Sequence, residues 1–236
     1  RLCTFEDGEI YSLGNANEDL TQYNPDQLFI YKPWLDKLGL DVPETLDDFY
    51  KTLKAFKEQD PNGNGKADEI PFSFRDNNRI QGLGSLFGAF GRVDPINHFV
   101  VEDGKVVFTA DKEEYKKAIS YYHQYFKEGL FDQEGFTQDV AQYFAKGKTE
   151  EVILGSFMLW NAENMAGPER AKDYVPVPPL KGPDGHQLWT KCNLYNATIT
   201  GATFAITTAC ENPEIVIRWL DQLYDKKTSA EANWGS

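Results

Sequence analysis

Ten consecutive residues, 60 to 69, place oxygen-bearing side chains at alternate positions around glycines: they read Asp-Pro-Asn-Gly-Asn-Gly-Lys-Ala-Asp-Glu. This spacing is typical of a loop that wraps around a hard cation. In the EF-hand loop, ligands stand at positions 1, 3, 5, 7, 9 and 12, position 7 ligates through its backbone carbonyl, and a glycine at position 6 makes the turn. Counted from the first aspartate, the predicted ligands are the side chains of Asp60, Asn62, Asn64, Asp68 and Glu69 and the carbonyl of Lys66.

The loop departs from the EF-hand pattern at position 12, where Pro71 supplies no carboxylate. Glu69, two residues earlier, then has to take that role. The set contains only oxygen ligands, which suit Ca²⁺ better than a metal that prefers sulfur or nitrogen. The alternative is an ordinary turn with solvated acids, because Asn, Asp and Gly are common turn residues. The agreement of several ligand positions together with the glycine favours calcium.

A helix is predicted immediately before this loop. Thr45 can cap it, and Asp48 three residues later completes a capping box. Apolar residues then recur at the helical period, so one face is buried: Leu46, Phe49, Tyr50, Leu53 and Phe56. The apolar residues 70–74 after the loop predict a strand. An EF-hand sensor needs a helix on each side of its loop, so calcium is predicted to act here as a structural staple.

Composition narrows the range of partners. The chain has 236 residues, of which 26% are charged and 41% hydrophobic, and a net charge of −13. This charge would repel phosphates, which argues against nucleic acid and against anionic membrane surfaces. No stretch is as long as a membrane span, and no signal peptide opens the chain. Because the chain starts at Arg1, in what is predicted to be a strand, we expect it to be a piece of a longer protein.

Helical and strand patterns alternate along the chain, which predicts an α/β fold. The pair Asp103-Gly104, between two apolar runs, predicts a hairpin. Residues 152–160 form a continuous apolar run, as in a strand of a sheet that is covered on both faces.

Two further helices have predicted starts and inner faces. Asp111 is predicted to cap a long helix that stops at Gly129. Its apolar face is predicted to consist of Tyr115, Ala118, Ile119, Tyr122 and Phe126. Asn212 and Pro213 are predicted to begin the last helix. The residues of that helix expected to face inward are Ile215, Trp219, Leu220 and Leu223.

Several common kinds of catalytic site have no counterpart in the sequence. The histidines are isolated from one another, which argues against a zinc site or His-dependent catalysis: His98, His123 and His186. No nucleophile elbow, P-loop or dinucleotide-binding fingerprint is present. The cysteines form no metal-binding spacing: Cys3, Cys192 and Cys210. Carboxylates are plentiful, so composition leaves a glycosidase pair open.

A candidate ligand site follows the apolar strand. Trp160 ends that strand, and ligands of open α/β sheets lie outside the carboxyl ends of strands. The indole is predicted to stack on a sugar ring, with Asn161 and Glu163 bonding to hydroxyl groups. The alternative is that Trp160 closes the core.

Asn78 and Arg79 are a second pair of candidate ligand residues. They follow the strand predicted after the calcium loop and precede a Gly-rich apolar segment. An arginine in a cleft can hold a carboxylate with two parallel N–H bonds, which would suit an acidic sugar. The alternative is a solvated loop charge.

The calcium loop, with the helix at 43–57 in front of it, is the most specific of several stretches that point to one family. The other stretches are individually less specific: 10–13, 31–40, 125–130, 155–160 and 201–207. Over nearly its whole length the chain resembles the extracellular solute-binding proteins (family 1) of bacterial ABC transporters. It is most similar to their calcium-containing branch, which includes the alginate-binding proteins.

The resemblance implies a periplasmic-binding-protein-like fold of type II, in which two α/β lobes close on a ligand like a clamp. Calcium then lies in one lobe, away from the ligand, and this chain supplies mainly one lobe. Residues 1–24 are expected to be a hinge-proximal hairpin and loop from the first lobe. Residues 25–220 are expected to be the second lobe with the calcium loop, and 221–236 a helix end that returns toward the hinge.

The resemblance also implies a function without catalysis: capture of a carbohydrate or oligosaccharide for uptake by an ABC transporter. The expected partners are the sugar and a membrane permease, with no nucleic acid and no insertion of this segment into a membrane, and the protein is expected to be a monomer with structural Ca²⁺. Its place would be extracellular or periplasmic, with the parent protein anchored as a lipoprotein. The alternative class is a calcium-stabilised carbohydrate-active enzyme or an accessory domain of one.

Overall fold

A computed structural model describes residues 3–16, 26–76, 81–189 and 199–235. They belong to two compact units. The larger unit is Tyr23–Cys192, and the smaller unit combines Arg1–Gln22 with Asn193–Ser236. The smaller unit combines the two ends of the chain because the strand at 199–204 pairs with the strand at 13–16. The predicted second lobe at 25–220 stays a prediction.

The larger unit is built around a mixed sheet. Its central strand β2 (Gln27–Tyr31) is antiparallel to both neighbours, β5 (Ser156–Leu159) and β6 (Tyr174–Val177). The predicted strand after the calcium loop extends the sheet beyond β5, because Ser73 pairs with Phe157 in the parallel sense. The strand after the calcium loop and β5 therefore end at the same edge of the sheet, and β2 begins at that edge.

Helices cover both faces of the sheet. Alternate residues of a strand point to opposite faces, so one strand contributes to the apolar core on each side. Leu28 and Ile30 of β2 pack into one apolar cluster and Phe29 into another. The first cluster includes residues from α1 (Lys32–Leu38), α2 (Leu46–Glu58) and α3 (Glu113–Lys127), and the second from α4 (Val140–Ala145) and α5 (Ala162–Arg170). Short 3₁₀ helices lie at Leu86–Phe90 and Ala171–Asp173. All four residues of β5 are buried, as its apolar sequence predicted.

The capping box predicted before α2 is present. The backbone N–H of Asp48 donates to the Thr45 hydroxyl at 3.1 Å, and the Thr45 N–H donates to the Asp48 carboxylate at 3.2 Å. The apolar face behind it is buried, with Leu46, Phe49, Leu53 and Phe56 each at most 1% exposed. The cap and this face together fix where the helix starts and how its C-terminal end reaches the calcium loop.

The predicted hairpin is also present, as β3 (Phe99–Glu102) paired with β4 (Lys105–Phe108). Both turn residues have positive φ, 49° at Asp103 and 74° at Gly104. This is the conformation that a two-residue type I′ turn requires.

The prediction for α3 was wrong at its start and in part of its inner face. The capping position is Lys112 and not Asp111, whose carboxylate forms an ion pair with the Lys112 ammonium group at 2.7 Å. The buried residues are Ala118, Tyr122 and Tyr125, whereas Ile119 is 45% exposed. The helix ends before Gly129, which has the predicted left-handed conformation.

The smaller unit contains an antiparallel pair, β1 (Leu13–Ala16) with β7 (Ile199–Phe204), and two helices, α6 (Pro213–Asp221) and α7 (Lys226–Trp234). A 3₁₀ turn at Gln222–Tyr224 lies between the helices. Pro213 begins α6 as predicted, but the side chain of Asn212 makes no capping bond. The predicted inner face was wrong: Leu220 is buried, while Ile215 and Trp219 are 66% and 61% exposed.

Within the described parts of the chain, no helix combines the length and the apolar character needed to cross a membrane.

Candidate functional site

The predicted calcium loop begins where α2 ends, and the carboxylate of Asp60 shapes its first turn. Oδ1 of Asp60 accepts hydrogen bonds from the backbone N–H groups of Gly63 at 2.9 Å and Asn64 at 3.1 Å, and Oδ2 accepts one from Gly65 at 3.0 Å. Asp60 has a φ of 45°, in a left-handed region that Asp tolerates better than most residues. The loop therefore turns back over its own first residue, as a cation-wrapping loop does.

The amide side chains of the loop converge on Asp68. Asn62 Nδ2 donates to Asp68 Oδ1 at 3.0 Å, and Asn64 Nδ2 donates to both oxygens of that carboxylate at 3.3 and 3.1 Å. The bonds from Asn62 and then Asn64 lower the pKa of Asp68. Their amide oxygens accept backbone bonds, Asn62 from Asn64 at 3.0 Å and Asn64 from Lys66 at 2.8 Å. Three of the predicted ligand side chains therefore meet.

Glu69, the residue predicted to replace the missing carboxylate, is partly enclosed. No hydrogen-bond donor among the described residues reaches its shielded Oε1. Burial raises the pKa of Glu69, and the charges of Asp60 and Asp68 raise it further. A bound cation would satisfy this oxygen and offset the repulsion, so the donor set fits Ca²⁺.

Hydrogen bonds, and not clustered charges alone, hold the loop together. Across the described ranges, no three His, Cys, Asp or Glu side chains stand together in a metal-binding arrangement. The predicted set does not require such a group, because it includes two amides and a carbonyl. Half a rotation of the Asn62 and Asn64 amides would present their oxygens where the nitrogens now face Asp68. Calcium at these residues stays a prediction.

One carboxylate that the sequence analysis missed also reaches the loop. Glu151 Oε2 accepts a hydrogen bond from Asn64 Nδ2 at 2.8 Å, across 87 positions of sequence. Glu151 precedes β5, and no local spacing links it to the loop. Only the pairing of the two neighbouring strands could have indicated this contact.

Trp160 follows directly after β5, at the edge of the sheet where the parallel strands end. Its side chain is 39% exposed and packs edge-on against Phe144, with the ring centroids 6.3 Å apart. Gln27 pairs with Leu159, so β2 begins at the same edge. The exposed indole lies where open α/β sheets bind ligands. Its role in binding stays a prediction.

Asn161 and Glu163 have structural roles that do not depend on a ligand. Asn161 Oδ1 caps α5 by accepting the N–H of Asn164 at 2.9 Å. Glu163 lies in the first turn of the same helix, where a carboxylate interacts favourably with the helix dipole. Both side chains lie close in sequence to the exposed indole, and their predicted bonds to hydroxyl groups stay predictions.

The other predicted ligand residues, Asn78 and Arg79, lie outside the described residues. The described chain on either side of them is joined by two bonds between Arg75 and Gln81. The backbone N–H of Arg75 donates to the Gln81 carbonyl at 2.8 Å, and Arg75 Nε donates to Gln81 Oε1 at 2.6 Å. The strand before Arg75 runs parallel to β5, so it ends at the edge that carries Trp160.

A buried polar cluster at the same edge was not predicted. Oδ2 of Asp132 accepts from the Ser73 hydroxyl and from Lys146 Nζ, both at 2.5 Å, and from Gln138 Nε2 at 3.2 Å. Gln138 Nε2 also donates to the carbonyl of Phe74 at 2.6 Å. The cluster ties the end of a strand to α4. Residues of the cluster that bond directly to each other are up to 65 positions apart, so no local motif could have revealed it.

Trp189 is a second half-buried tryptophan that the sequence analysis did not single out. Its Nε1 donates to the carbonyl of Asp26 at 2.7 Å. Asp26 immediately precedes β2, and its carboxylate accepts a hydrogen bond from the hydroxyl of Ser85. This bond holds Trp189 beside the start of β2, which lies at the sheet edge that carries Trp160.

Comparison with known proteins gives a consistent result. The family model for bacterial extracellular solute-binding proteins matches residues 11–230. The chain is 40% identical over 247 residues to the fructooligosaccharide ABC transporter substrate-binding protein FusA of Streptococcus pneumoniae serotype 4, covering 100% of this chain and 44% of FusA. It is 32% identical over 244 residues to the lipoprotein LipO of Bacillus subtilis, covering 97% of this chain and 45% of LipO.

Solved structures agree with this match. FusA of S. pneumoniae in complex with kestose superimposes with a TM-score of 0.80 at 39% identity, covering 100% of this chain and 48% of that one. A FusA EF-hand mutant in complex with fructo-nystose gives a TM-score of 0.80 at 38% identity with the same coverage. The alginate-binding protein AlgQ2 without calcium ion shares the fold, with a TM-score of 0.61 at 23% identity over 100% of this chain and 48% of AlgQ2. The chain spans about half the length of these relatives, which confirms the predicted α/β fold with mainly one lobe.

Proposed function

The chain belongs to the bacterial extracellular solute-binding proteins, as its sequence predicted, and on this basis we propose that its protein captures an oligosaccharide and delivers it to the permease of an ABC transporter. The observation that carries the proposal is 40% identity, over the whole of this chain, to a protein named for binding fructooligosaccharides in such a transporter. Relatives of this kind are named as binding proteins, so we propose capture without catalysis.

We propose that the sugar lies against the sheet edge that carries Trp160. A half-exposed indole offers a flat apolar surface, and sugar sites combine such surfaces with a few polar groups. Asn161 and Glu163 are close enough in sequence to supply polar groups at the same edge. Asn78 and Arg79 are proposed to contribute from the loop that the paired residues Arg75 and Gln81 delimit.

We propose further that Asp60, Asn62, Asn64, Lys66, Asp68 and Glu69 hold a structural Ca²⁺. The support is the unsatisfied Oε1 of Glu69 among the described residues, together with the existence of an EF-hand variant of FusA. When bound, the ion would neutralise the loop carboxylates and join the end of α2 to the strand that follows. It takes no part in ligand chemistry in this proposal.

The remaining proposals concern the whole protein. We propose that the larger unit lies in the second lobe and that the smaller unit includes residues of the first lobe near the hinge. The protein is proposed to act as a monomer outside the cell or in the periplasm, attached to the membrane as a lipoprotein. The family name and the lipoprotein LipO support the location.

Isothermal titration calorimetry of the complete protein tests the proposed function. We expect saturable binding of kestose, the sugar found with FusA, and no release of monosaccharide from it. Trp160→Ala should weaken binding by about 2 kcal/mol, or roughly thirtyfold in Kd, because it removes a large apolar contact.

Phe99→Ala is the matched control, because Phe99 is a half-exposed aromatic residue of the same unit in the β3–β4 hairpin. It should leave the Kd unchanged. Titration of Arg79→Ala with kestose and with an acidic oligosaccharide such as trigalacturonate tests the role of Arg79. Unaltered affinity for both sugars would exclude this residue from the site. Release of monosaccharide from either sugar would contradict the proposal and favour the carbohydrate-active enzyme.

A further inference from the structure

The contact between Glu151 and the calcium loop is the starting point. Glu151 Oε2 lies 2.8 Å from Asn64 Nδ2, and the same nitrogen lies 3.1 Å from Asp68 Oδ2. Oxygens of two carboxylates, one inside the loop and one outside it, therefore converge on a single position. The Asn64 NH₂ group, whose hydrogens carry partial positive charge, now occupies that position.

A cation would satisfy these two carboxylates better than an amide. If the Asn64 amide rotates by half a turn, its oxygen gives up the bond from the Lys66 N–H and turns toward Asp68 and Glu151. A cation can then bind between the three side chains and receive oxygens from all of them. Asp68 and Glu151 would need only small movements, because their oxygens already lie about one hydrogen-bond length from the Asn64 amide group.

The loop by itself also leaves room for another ligand. Pro71 stands where the EF-hand pattern has a bidentate glutamate, and the loop provides six oxygens when Glu69 takes part. Ca²⁺ accepts six to eight oxygen ligands, so an additional carboxylate is compatible with its coordination. Glu151 lies outside the loop, and its carboxylate bonds to one of the predicted ligands.

We propose that Glu151 is a further ligand of the calcium site, supplied by the segment that leads into β5. This proposal rests on the proposed binding of calcium by the loop. It adds to the site a residue that belongs to a different part of the chain.

The backbone around Glu151 is held in a way that suits this role. The guanidinium group of Arg170 donates to the carbonyls of Gly147 at 3.0 Å, Thr149 at 2.7 Å and Glu150 at 2.9 Å. The Thr149 hydroxyl donates to the Glu151 carbonyl at 2.6 Å. These bonds fix the segment before it enters the sheet, so little ordering remains to be done when the carboxylate binds.

The same segment is joined to the exit of the calcium loop. The backbone N–H of Ile70 donates to the carbonyl of Ile153 at 2.7 Å, and that of Gly155 donates to the carbonyl of Ile70 at 2.9 Å. A cation held by both sides would therefore close a ring of contacts between the loop and β5. Trp160 directly follows this strand.

Calcium titration of the complete protein tests the proposal, with Glu151→Gln as the variant and Glu150→Gln as its control. Both changes remove one negative charge from neighbouring exposed side chains, but only Glu151 contacts Asn64. We expect Glu151→Gln to raise the Kd for Ca²⁺ about tenfold or more. Glu150→Gln should stay within about twofold of the unmodified protein, because an exposed charge that is not a ligand is screened by solvent and salt.

Terbium(III) luminescence, with the ion in place of calcium, distinguishes a ligand from a residue that acts through Asn64. Loss of a direct ligand in Glu151→Ala should admit an additional coordinated water, seen by comparing decay rates in H₂O and D₂O. An unchanged water number would overturn the assignment as a ligand. An unchanged Kd in Glu151→Gln would overturn the role of Glu151 while leaving the loop site intact. Absence of calcium binding by the unmodified protein would instead contradict the proposed loop site itself.

Discussion

Individual carboxylates of this chain differ greatly in burial, and Asp132 is one of the buried ones. Its side chain is 6% exposed and pairs with Lys146, which is 12% exposed. Glu134 contacts the same ammonium group at 2.9 Å but is 62% exposed. Burial and not the presence of a partner should decide which of these pairs stabilises the fold, because solvent screens the exposed one.

Asp132→Ala should therefore lower the free energy of unfolding by about 3 kcal/mol or more. It leaves the largely buried ammonium group of Lys146 with only the exposed Glu134, and it removes the carboxylate that accepts from Ser73 and Gln138. Glu134→Ala, the control on the same lysine, should cost less than about 1 kcal/mol. Urea unfolding of both variants measures the difference. Equal losses would contradict the argument from burial.

At the scale of a single element, the stabilisation that the cap gives to the start of α2 depends on pH. The hydrogen bond from the Thr45 hydroxyl is the main cause that holds the pKa of Asp48 below its ordinary value of 3.8. Since the folded-state pKa lies below the unfolded value, the stabilisation is present above the unfolded value. It is lost as the pH falls through the folded-state value.

Thr45→Ala should lower the free energy of unfolding by about 1 kcal/mol near neutral pH, because the first turn of α2 loses its cap. The difference from the unmodified protein should narrow below about pH 4, where protonated Asp48 no longer accepts these bonds as a carboxylate. Urea unfolding at both pH values tests this. Asp47→Asn removes a carboxylate from the same turn without touching Thr45, and a gap that narrows equally there would assign the effect to general charge.

At the scale of the whole molecule, the calcium site is a test of linkage between one loop and global stability. A ligand that binds only the folded state stabilises it by mass action, by about 2.7 kcal/mol at 100 times its Kd. EDTA should therefore lower the melting temperature of the protein, and added Ca²⁺ should restore it. Asp68→Asn should remove this response, whereas Asp41→Asn, at an exposed position before α2, should keep it. A melting temperature that does not respond to EDTA would contradict calcium binding.

The sequence by itself determined the features whose interactions stay within a few residues. The capping box of Thr45 and Asp48, the turn at Asp103-Gly104 and the end of α3 at Gly129 were predicted because their donors, acceptors and φ values are local. The start of α3 was missed even at this range: the helix begins one residue later than predicted, with Lys112 at the capping position. The family was determined as well, since the calcium loop and the helix before it occur together.

Only the tertiary structure decided which distant residues meet and which apolar faces are covered. Glu151 reaches Asn64 across 87 positions, and Asp132 reaches Ser73 across 59, through strand pairing that no short motif encodes. Helical periodicity gave α6 an apolar face, but Trp219 stays exposed because a period specifies a side of the helix and not a neighbour to pack against it. The physical reason is the same in each case: local geometry depends on adjacent residues, whereas burial and convergence depend on the path of the whole chain.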